Sequence, residues 1–208
     1  MNKQRVLCIL CARGGSKRLK NKNYKNLFGK PLIYHSIKQA INSKIFDNIV
    51  FSTDSLRLKK MALKFGAQAW FIRPAKLSND KAAKMPVIRH AIIEAEKKFK
   101  CKFDFICDLD VTSPLRKTSD IKNAFKKFKK SNQDMLISGN KARKNPFFNM
   151  IQKVGKNSIK LAITPKKFFV RMQDAPLVYE LNASIYFWKR EACFKQKGPF
   201  CKKTFFYE

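Results

Sequence analysis

A loop rich in glycine and basic side chains follows the first apolar stretch of the sequence. Residues 12–23 read ARGGSKRLKNKN, with the adjacent glycines Gly14 and Gly15 and five cations. Adjacent glycines let backbone N–H groups close around phosphate oxygens, and arginine and lysine neutralise a polyphosphate. The spacing is neither that of a Walker A loop nor that of the G-x-G-x-x-G fingerprint. We therefore predict a phosphate-binding loop of another type, in preference to a merely flexible basic loop.

Two carboxylates, Asp108 and Asp110, end a second apolar stretch. The sequence has only 14 acidic residues, so two at the end of one predicted buried strand stand out. Magnesium prefers one or two carboxylates together with substrate phosphate. The pair is therefore a candidate metal site.

A C-x-x-C pair, Cys8 and Cys11, has a spacing that is also found in metal and redox sites. Both cysteines lie in a predicted strand, where an offset of three places them on opposite faces. No second pair completes a zinc set, and the sequence has only two histidines. We interpret the six cysteines as free thiols in a reducing compartment.

Alternating strands and helices must position these residues. Apolar runs and helical periodicity predict strands at residues 5–11, 48–52, 67–72, 103–110, 135–138 and 181–188, and helices at residues 31–42, 56–65, 81–99 and 119–130. Turn signals around residues 145–146 and 155–157 predict a hairpin-like insertion over residues 147–163. This order predicts an α/β fold, a mostly parallel twisted sheet with helices on both faces. In such a sheet ligands bind beyond the carboxyl ends of the strands, which is where the loop 12–23 lies.

Composition limits the class of protein. With 208 residues and 45% hydrophobic side chains, the chain fits one globular domain, and no apolar run is long enough to span a membrane. The first apolar run is better interpreted as a strand than as a signal peptide, so we predict a cytoplasmic protein without a membrane partner. The net charge of +32 has two interpretations: nucleic-acid binding, or lysines that coat the helices. The lysines are spread along the whole chain, which favours lysines that coat the helices. The positive electrostatic field of the protein still attracts anionic substrates.

Five segments resemble a known family when they are taken in order. They are residues 12–33 (ARGGSKRLKNKNYKNLFGKPLI), 52–54 (STD), 73–80 (RPAKLSND), 109–116 (LDVTSPLR) and 171–186 (RMQDAPLVYELNASIY). Together they resemble the acylneuraminate cytidylyltransferases, or CMP-sialic acid synthetases. The resemblance implies one nucleotidyltransferase domain over residues 1–208, similar to nucleotide-diphospho-sugar transferases, with a dimerisation insertion near residues 139–170. It also implies CTP and magnesium as requirements, and a homodimer.

The resemblance further implies a reaction, in which a sugar hydroxyl attacks the α-phosphorus of CTP and forms CMP-N-acylneuraminate and diphosphate. Arg13 and Lys22 match the basic residues that take part in catalysis in this family. The residues that match the family's CTP site are Arg13, Gly14, Gly15, Ser16, Lys22, Asn23, Arg73 and Ser78. The residues that match its sugar site are Asp110, Thr112, Ser113, Arg171, Gln173, Tyr179 and Asn182. Two alternatives stay open: Arg171 pairs with Asp174 instead of a substrate carboxylate, and Tyr179 is a core residue.

Three departures from the family pattern affect the substrate and the metal. Asp110 stands where the family usually has glutamine, Ala183 stands where it prefers glycine, and the C-terminal segment that carries the usual magnesium aspartates looks short. Asp108 and Asp110 either hold the metal instead, or Asp110 hydrogen-bonds a different sugar. The alternatives are therefore a cytidylyltransferase for legionaminate, pseudaminate or Kdo, a non-catalytic family member, and a basic nucleic-acid-binding protein, which is less favoured.

Overall fold

The computed structural model describes residues 3–15 and 19–208. Its strands are β1 (Val6–Cys11), β2 (Asn26–Leu27), β3 (Lys30–Pro31), β4 (Asn48–Ser52), β5 (Phe105–Leu109), β6 (Met135–Lys141), β7 (Ile151–Val154), β8 (Ser158–Leu161), β9 (Tyr179–Lys189) and β10 (Thr204–Tyr207). Its α-helices are α1 (Leu32–Ser43), α2 (Leu56–Lys64), α3 (Lys84–Phe99), α4 (Thr118–Ser131) and α5 (Arg190–Lys195). Three short 3-10 helices are η1 (Lys22–Tyr24), η2 (Ala75–Leu77) and η3 (Met172–Asp174).

A six-stranded sheet forms the centre of the fold, with the strand order β10-β6-β9-β5-β1-β4. β1 runs parallel to β4 and β5, and β10 runs parallel to β6, whereas β9 is antiparallel to β5. The expectation of a mostly parallel α/β sheet is therefore confirmed, with β9 as the returning strand. Helices lie between β1 and β4 and between β4 and β5 along the chain, and they supply the crossover connections that parallel strands need.

Hydrophobic clusters lie on both faces of the sheet. β1 supplies both, because its alternate residues point to opposite faces: Cys8 lies in one cluster and Leu7 and Ile9 in the other. The first cluster contains buried residues of α1, α2 and α4, and the second contains those of α3 and α5. The predicted opposite orientation of Cys8 and Cys11 is confirmed, and all six cysteines are free.

Two parts of the sheet differ from the sequence-based prediction. The strand predicted at residues 67–72 is wrong: the segment makes a single parallel bridge, between Gln68 and Val50. Trp70 and Phe71 instead pack against the second cluster, so their hydrophobicity reflects packing of a loop and not a strand. β10 was not predicted, and it pairs with β6 after a lysine-rich stretch with no clear strand pattern.

The chain divides into two compact units, residues 1–138 with 183–207, and residues 139–182 with Glu208. The second unit contains the antiparallel hairpin β7–β8, which turns at Gly155 with a φ of 73°. The hairpin predicted within residues 147–163 is therefore observed. This unit exposes many apolar side chains: Met150, Ile151, Val154, Ile159, Ile163, Phe168, Val170, Met172, Leu177 and Leu181.

Candidate active site

A pocket in the first unit collects most of the residues that the sequence predicted to bind CTP. Its volume is about 390 Å³, within the usual range for small-ligand sites. It lies beyond the carboxyl end of β1, where ligands bind in α/β sheets. Seven predicted site residues line it: Arg13, Lys22, Asn23, Arg73, Ser78, Asp110 and Thr112. Cys11, Leu77, Asn79, Asp80, Ala82, Lys84 and Val87 complete its wall.

The two glycines of the loop have different surroundings. The Gly14 N–H donates a 2.8 Å hydrogen bond to Asp54 Oδ1, and a Cβ added at Gly14 would lie 3.0 Å from Ser55 Cβ. A Cβ added at Gly15 would meet nothing within 4 Å. Gly14 therefore serves the close approach of the loop to Asp54 and Ser55. Its N–H is bonded to the Asp54 carboxylate in this structure, and its contact with CTP stays a prediction.

Polar contacts hold Arg13 in this loop. Arg13 Nη1 lies 2.6 Å from Asp80 Oδ1, and the Arg13 carbonyl accepts a 2.9 Å bond from the side-chain amide of the buried Asn23. Lys22 begins η1 and is half-buried at the pocket wall. Ser16, predicted to contact CTP, lies outside the described residues.

Arg73 and Ser78 form one hydrogen-bonded group in the wall of the pocket. Arg73 is buried, its Nε donates to Ser78 Oγ at 3.1 Å, and the Ser78 hydroxyl donates to the Pro74 carbonyl at 3.1 Å. The backbone N–H of Arg73 donates to the Thr53 carbonyl at 2.8 Å, which ties this segment to the end of β4. A buried guanidinium with fixed partners presents a rigid set of donors.

Asp108 and Asp110 meet a lysine that the sequence analysis missed. Lys84 Nζ, at the start of α3, lies 2.6 Å from Asp108 Oδ2 and 3.0 Å from Asp110 Oδ2. Asp110 Oδ1 accepts from both the N–H and the hydroxyl of Thr112, each at 2.8 Å. Asp108 is fully buried, whereas Asp110 is 23% exposed and lines the pocket.

Burial and charge act in opposite directions on these groups. Complete burial raises the pKa of Asp108 above its ordinary value, although Lys84 opposes the shift. Burial acts in the same direction on Asp110, but Lys84 and the Thr112 hydrogen bonds outweigh it and lower the pKa of that carboxyl. Burial lowers the pKa of Lys84, yet the two carboxylates overcome it and raise the pKa above its ordinary value. The lysine is therefore a permanent cation at neutral pH.

Arg116 holds the loop that carries Asp110 and Thr112. It is buried, and its guanidinium donates to the carbonyls of Asp110 and Ser184, to Ser36 Oγ at 2.8 Å and to Gln39 Oε1 at 3.0 Å. Gln39 in turn donates to the carbonyls of Pro114 and Arg116. Ser113 lies in the same loop, with its hydroxyl 3.5 Å from the Ala183 carbonyl. Arg116 stood in the LDVTSPLR segment, but nothing in that segment revealed its role.

The remaining predicted sugar residues lie in the second unit. Arg171, Gln173, Tyr179 and Asn182 all belong to residues 139–182. Arg171 makes a bidentate pair with Asp174, with both N–O distances 2.9 Å. The alternative of an Arg171–Asp174 pair is thus observed in this structure. Tyr179 is 41% exposed and is not a core residue of its unit.

A protein-family model described as cytidylyltransferase matches residues 7–204. The chain belongs to the cytidylyltransferase family. It is 44% identical to "Post-translational flagellin modification protein B" of Campylobacter coli and 42% identical to "CMP-N,N'-diacetyllegionaminic acid synthase" of Campylobacter jejuni. Each match covers 96% of this chain and 83% of the relative. It is 32% identical to "N-acylneuraminate cytidylyltransferase" of Streptococcus agalactiae, over 97% of this chain and 48% of that protein.

Solved structures support the same cytidylyltransferase fold. The structure of CMP:2-keto-3-deoxy-manno-octonic acid synthetase complexed with CTP superposes with a TM-score of 0.68. The match covers 98% of this chain and 90% of that chain, at 16% sequence identity. At this identity the likeness shows the fold alone. The family match makes this chain a nucleotidyltransferase enzyme.

The predicted metal pair of this cytidylyltransferase, Asp108 and Asp110, does not fit magnesium as it is arranged. The Lys84 ammonium lies between the two carboxylates, in the place that a shared cation would need. Within residues 3–15 and 19–208, no group of three or more His, Cys, Asp or Glu side chains is arranged to hold a metal ion. One internal ammonium contacts both carboxylates, and a magnesium requirement of the reaction stays a prediction.

No helix in the described part of this cytidylyltransferase has the length and apolar character needed to cross a bilayer.

Proposed function

We propose that this cytoplasmic enzyme transfers CMP from CTP to a nonulosonic acid of the legionaminate type, releasing diphosphate. The observation that supports CTP binding is the pocket of this cytidylyltransferase, which is lined by Arg13, Lys22, Asn23, Arg73 and Ser78. The family resemblance predicts N-acylneuraminate as the sugar, with legionaminate, pseudaminate and Kdo as alternatives. The relatives favour legionaminate, because the named legionaminic acid synthase is 42% identical and the named N-acylneuraminate enzyme 32%.

The chemistry requires positioning and charge stabilisation but no protein nucleophile. The anomeric hydroxyl oxygen of the sugar forms a bond to the α-phosphorus of CTP, the bond from that phosphorus to the bridging oxygen breaks, and diphosphate leaves in line. The hydroxyl proton passes to solvent. Lys22 neutralises the charge that develops on the transferred and leaving phosphates, and Arg13 binds the triphosphate. Since Arg13 pairs with Asp80 at 2.6 Å, a phosphate oxygen must share or displace that carboxylate.

Recognition of cytosine is assigned to the Arg73–Ser78 group. Cytosine offers an amino donor beside carbonyl and ring-nitrogen acceptors, and uracil reverses part of this pattern. Arg73 is buried and held by Ser78 and by the backbone of Thr53, so its donors are fixed before the base arrives. A fixed donor beside backbone carbonyls separates the two bases because the wrong base leaves buried groups unpaired.

The sugar is assigned to Asp110, Thr112 and Ser113 of the first unit. In the second unit, Arg171, Gln173, Tyr179 and Asn182 stay predicted sugar residues on the family resemblance. Asp110 stands where glutamine is usual, and its carboxylate is already bonded to Thr112 and Lys84, so it presents a fixed anionic acceptor to a sugar donor. Arg171 has the bidentate geometry that a sugar carboxylate needs, and Asp174 occupies that geometry in this structure. Binding of the sugar carboxylate at Arg171 then requires that Asp174 gives way.

We further propose that the enzyme is a homodimer that forms through the second unit, near residues 139–170, and that magnesium accompanies CTP. The exposed apolar side chains of the second unit support the dimer, because exposed apolar surface is a common feature of interaction sites. The proposed magnesium accompanies the triphosphate as substrate, consistent with its preference for phosphate oxygens.

The deciding experiment is release of diphosphate from CTP in the presence of magnesium, with N-acetylneuraminate, legionaminate, pseudaminate and Kdo offered separately. We expect release with legionaminate and CTP together, and at least about tenfold lower kcat/KM with N-acetylneuraminate. Lys22→Met should lower kcat by about 10²-fold or more, as loss of a charge-stabilising donor does. Lys20→Met, an exposed lysine in the same loop, is the matched control and should keep its activity. Release with none of the sugars from folded protein would contradict the proposal.

A further inference from the structure

The Lys84 ammonium has the surroundings of a bound cation. It contacts Asp108 Oδ2 at 2.6 Å and Asp110 Oδ2 at 3.0 Å, and it lies 5.7 Å from the centre of the Tyr186 ring. Two converging carboxylates and an aromatic face are the groups that proteins use to bind a cation. All four residues belong to the first unit, so their arrangement is that of one compact body.

The two carboxylates would attract a divalent ion if the lysine were absent. Asp108 is fully buried, and its Oδ1 has no hydrogen-bond partner among the described residues. Asp110 is held by two Thr112 hydrogen bonds, which leave Oδ2 directed at Lys84. Without the ammonium, two negative charges would face each other with little solvent, and such pairs are stabilised by a proton or a metal.

The charge of the whole chain favours a cation that is part of the protein. With 46 basic and 14 acidic residues, the protein carries a net charge of +32, which repels free divalent cations. The wall of the same pocket also holds Arg13, Lys22 and Arg73. A tethered ammonium meets the carboxylates at a high effective concentration and does not depend on the concentration of metal in solution.

We propose that the ammonium of Lys84 is the resident cation of the Asp108–Asp110 pair and occupies the place where a divalent metal ion would otherwise bind. Lys84 then acts as a positioning residue: it directs Asp110 and cancels charge that would repel the triphosphate. The proposal deepens the proposed function, since the pair lies at the CTP pocket, but the cation site itself can be tested without nucleotide or sugar.

The test is titration of Mn²⁺ into the protein without CTP, with free Mn²⁺ followed by its electron paramagnetic resonance signal. Lys84→Met keeps an unbranched side chain and removes the charge. We expect Lys84→Met to bind one Mn²⁺ per chain at least about tenfold more tightly than the wild type. Lys84→Met combined with Asp110→Asn should lose that site. Lys98→Met, an exposed lysine of the same helix, is the control for net charge and should bind Mn²⁺ as the wild type does.

Equal Mn²⁺ binding by the wild type and Lys84→Met would overturn the proposal, provided that circular dichroism shows both to be folded. If Lys84→Met does not fold, the wild type decides the question through Mn²⁺-soaked crystals. An anomalous peak about 2.1 Å from oxygens of both Asp108 and Asp110, with Lys84 displaced, would contradict the proposal. Density for Lys84 between the carboxylates, with no such peak, would support it. Because neither readout uses turnover, failure of the proposed function gives a different result, namely no diphosphate release.

Discussion

The backbone N–H of Gly14 donates a 2.8 Å hydrogen bond to Asp54 Oδ1, which joins the loop after β1 to the end of β4. A side chain at Gly14 would begin 3.0 Å from Ser55 Cβ, a distance at which the neighbouring residue must move by a few tenths of an ångström. The loop that carries Arg13 therefore depends on glycine at this position.

Gly14→Ala should weaken CTP binding by about tenfold or more and cost about 1–3 kcal/mol of stability, as overpacking of a tight contact does. Gly15→Ala is the matched control, because a Cβ there meets no atom within 4 Å. Isothermal titration calorimetry measures the affinity for CTP, and urea unfolding measures the stability. Equal CTP affinity in both variants would show that the Asp54–Gly14 contact does not shape the site.

Arg116→Lys should lower the free energy of unfolding by at least about 1.5–3 kcal/mol, because lysine lacks the planar fork that serves several acceptors at once. Arg116 donates to Ser36 Oγ at 2.8 Å and to Gln39 Oε1 at 3.0 Å, besides two backbone carbonyls. Arg5→Lys, at an exposed arginine of the same unit, is the control and should change the free energy of unfolding little. Urea denaturation followed by circular dichroism compares them, and equal midpoints would refute the role given to Arg116.

Ala183→Gly should raise stability by about 0.5–1 kcal/mol, because Ala183 has a φ of 49°, in the left-handed region that favours glycine. This is the position where the family resemblance implied glycine. Ala75→Gly provides the opposite case: this exposed alanine of η2 has no positive φ, so glycine should cost stability there. Urea midpoints that move in the same direction in both variants would exclude backbone strain as the cause.

Stability should fall as the pH rises above 9. Burial, and to a smaller extent the negative charge of Asp108, raises the pKa of the Cys11 thiol from 9.0 to about 12. The unfolded chain therefore loses this proton before the folded one does, and the stabilisation present below pH 9 is lost as the pH approaches 12. Unfolding free energies measured from pH 8 to pH 11 should show a smaller decline in Cys11→Ala than in Cys101→Ala, a half-buried cysteine. Identical declines would contradict the assignment.

A charged hairpin should prevent the proposed dimer. Ile151 and Ile159 share one face of the β7–β8 hairpin and are 59% and 66% exposed. We expect Ile151→Asp with Ile159→Asp to convert a dimer to a monomer in light scattering coupled to size exclusion. Gln152→Asp with Ser158→Asp adds the same charge to the other face and should leave the dimer intact. A monomeric wild type at micromolar concentrations would contradict the dimer itself.

Local patterns were sufficient to predict most elements. β4 has the bounds that its apolar run predicted, and α1, α2, α3 and α4 were predicted within a few residues, because their apolar faces repeat with the helical period. The glycine-rich loop and the motif residues around the pocket could also be selected from their types and order. The wrongly predicted strand at residues 67–72 shows the limit of local patterns. Trp70 and Phe71 pack against the second hydrophobic cluster, but their segment makes only one bridge to the sheet.

By itself, the sequence of this protein determined its α/β class, its cytidylyltransferase resemblance and the candidate residues of its CTP pocket. Only the tertiary structure decided which charges meet. Lys84 precedes Asp110 by 26 residues, and Arg116 follows Ser36 by 80, so no local period relates either pair. Their contacts depend on where whole helices pack against the sheet. Coulomb attraction between two side chains falls with their separation in space, whatever their separation along the chain.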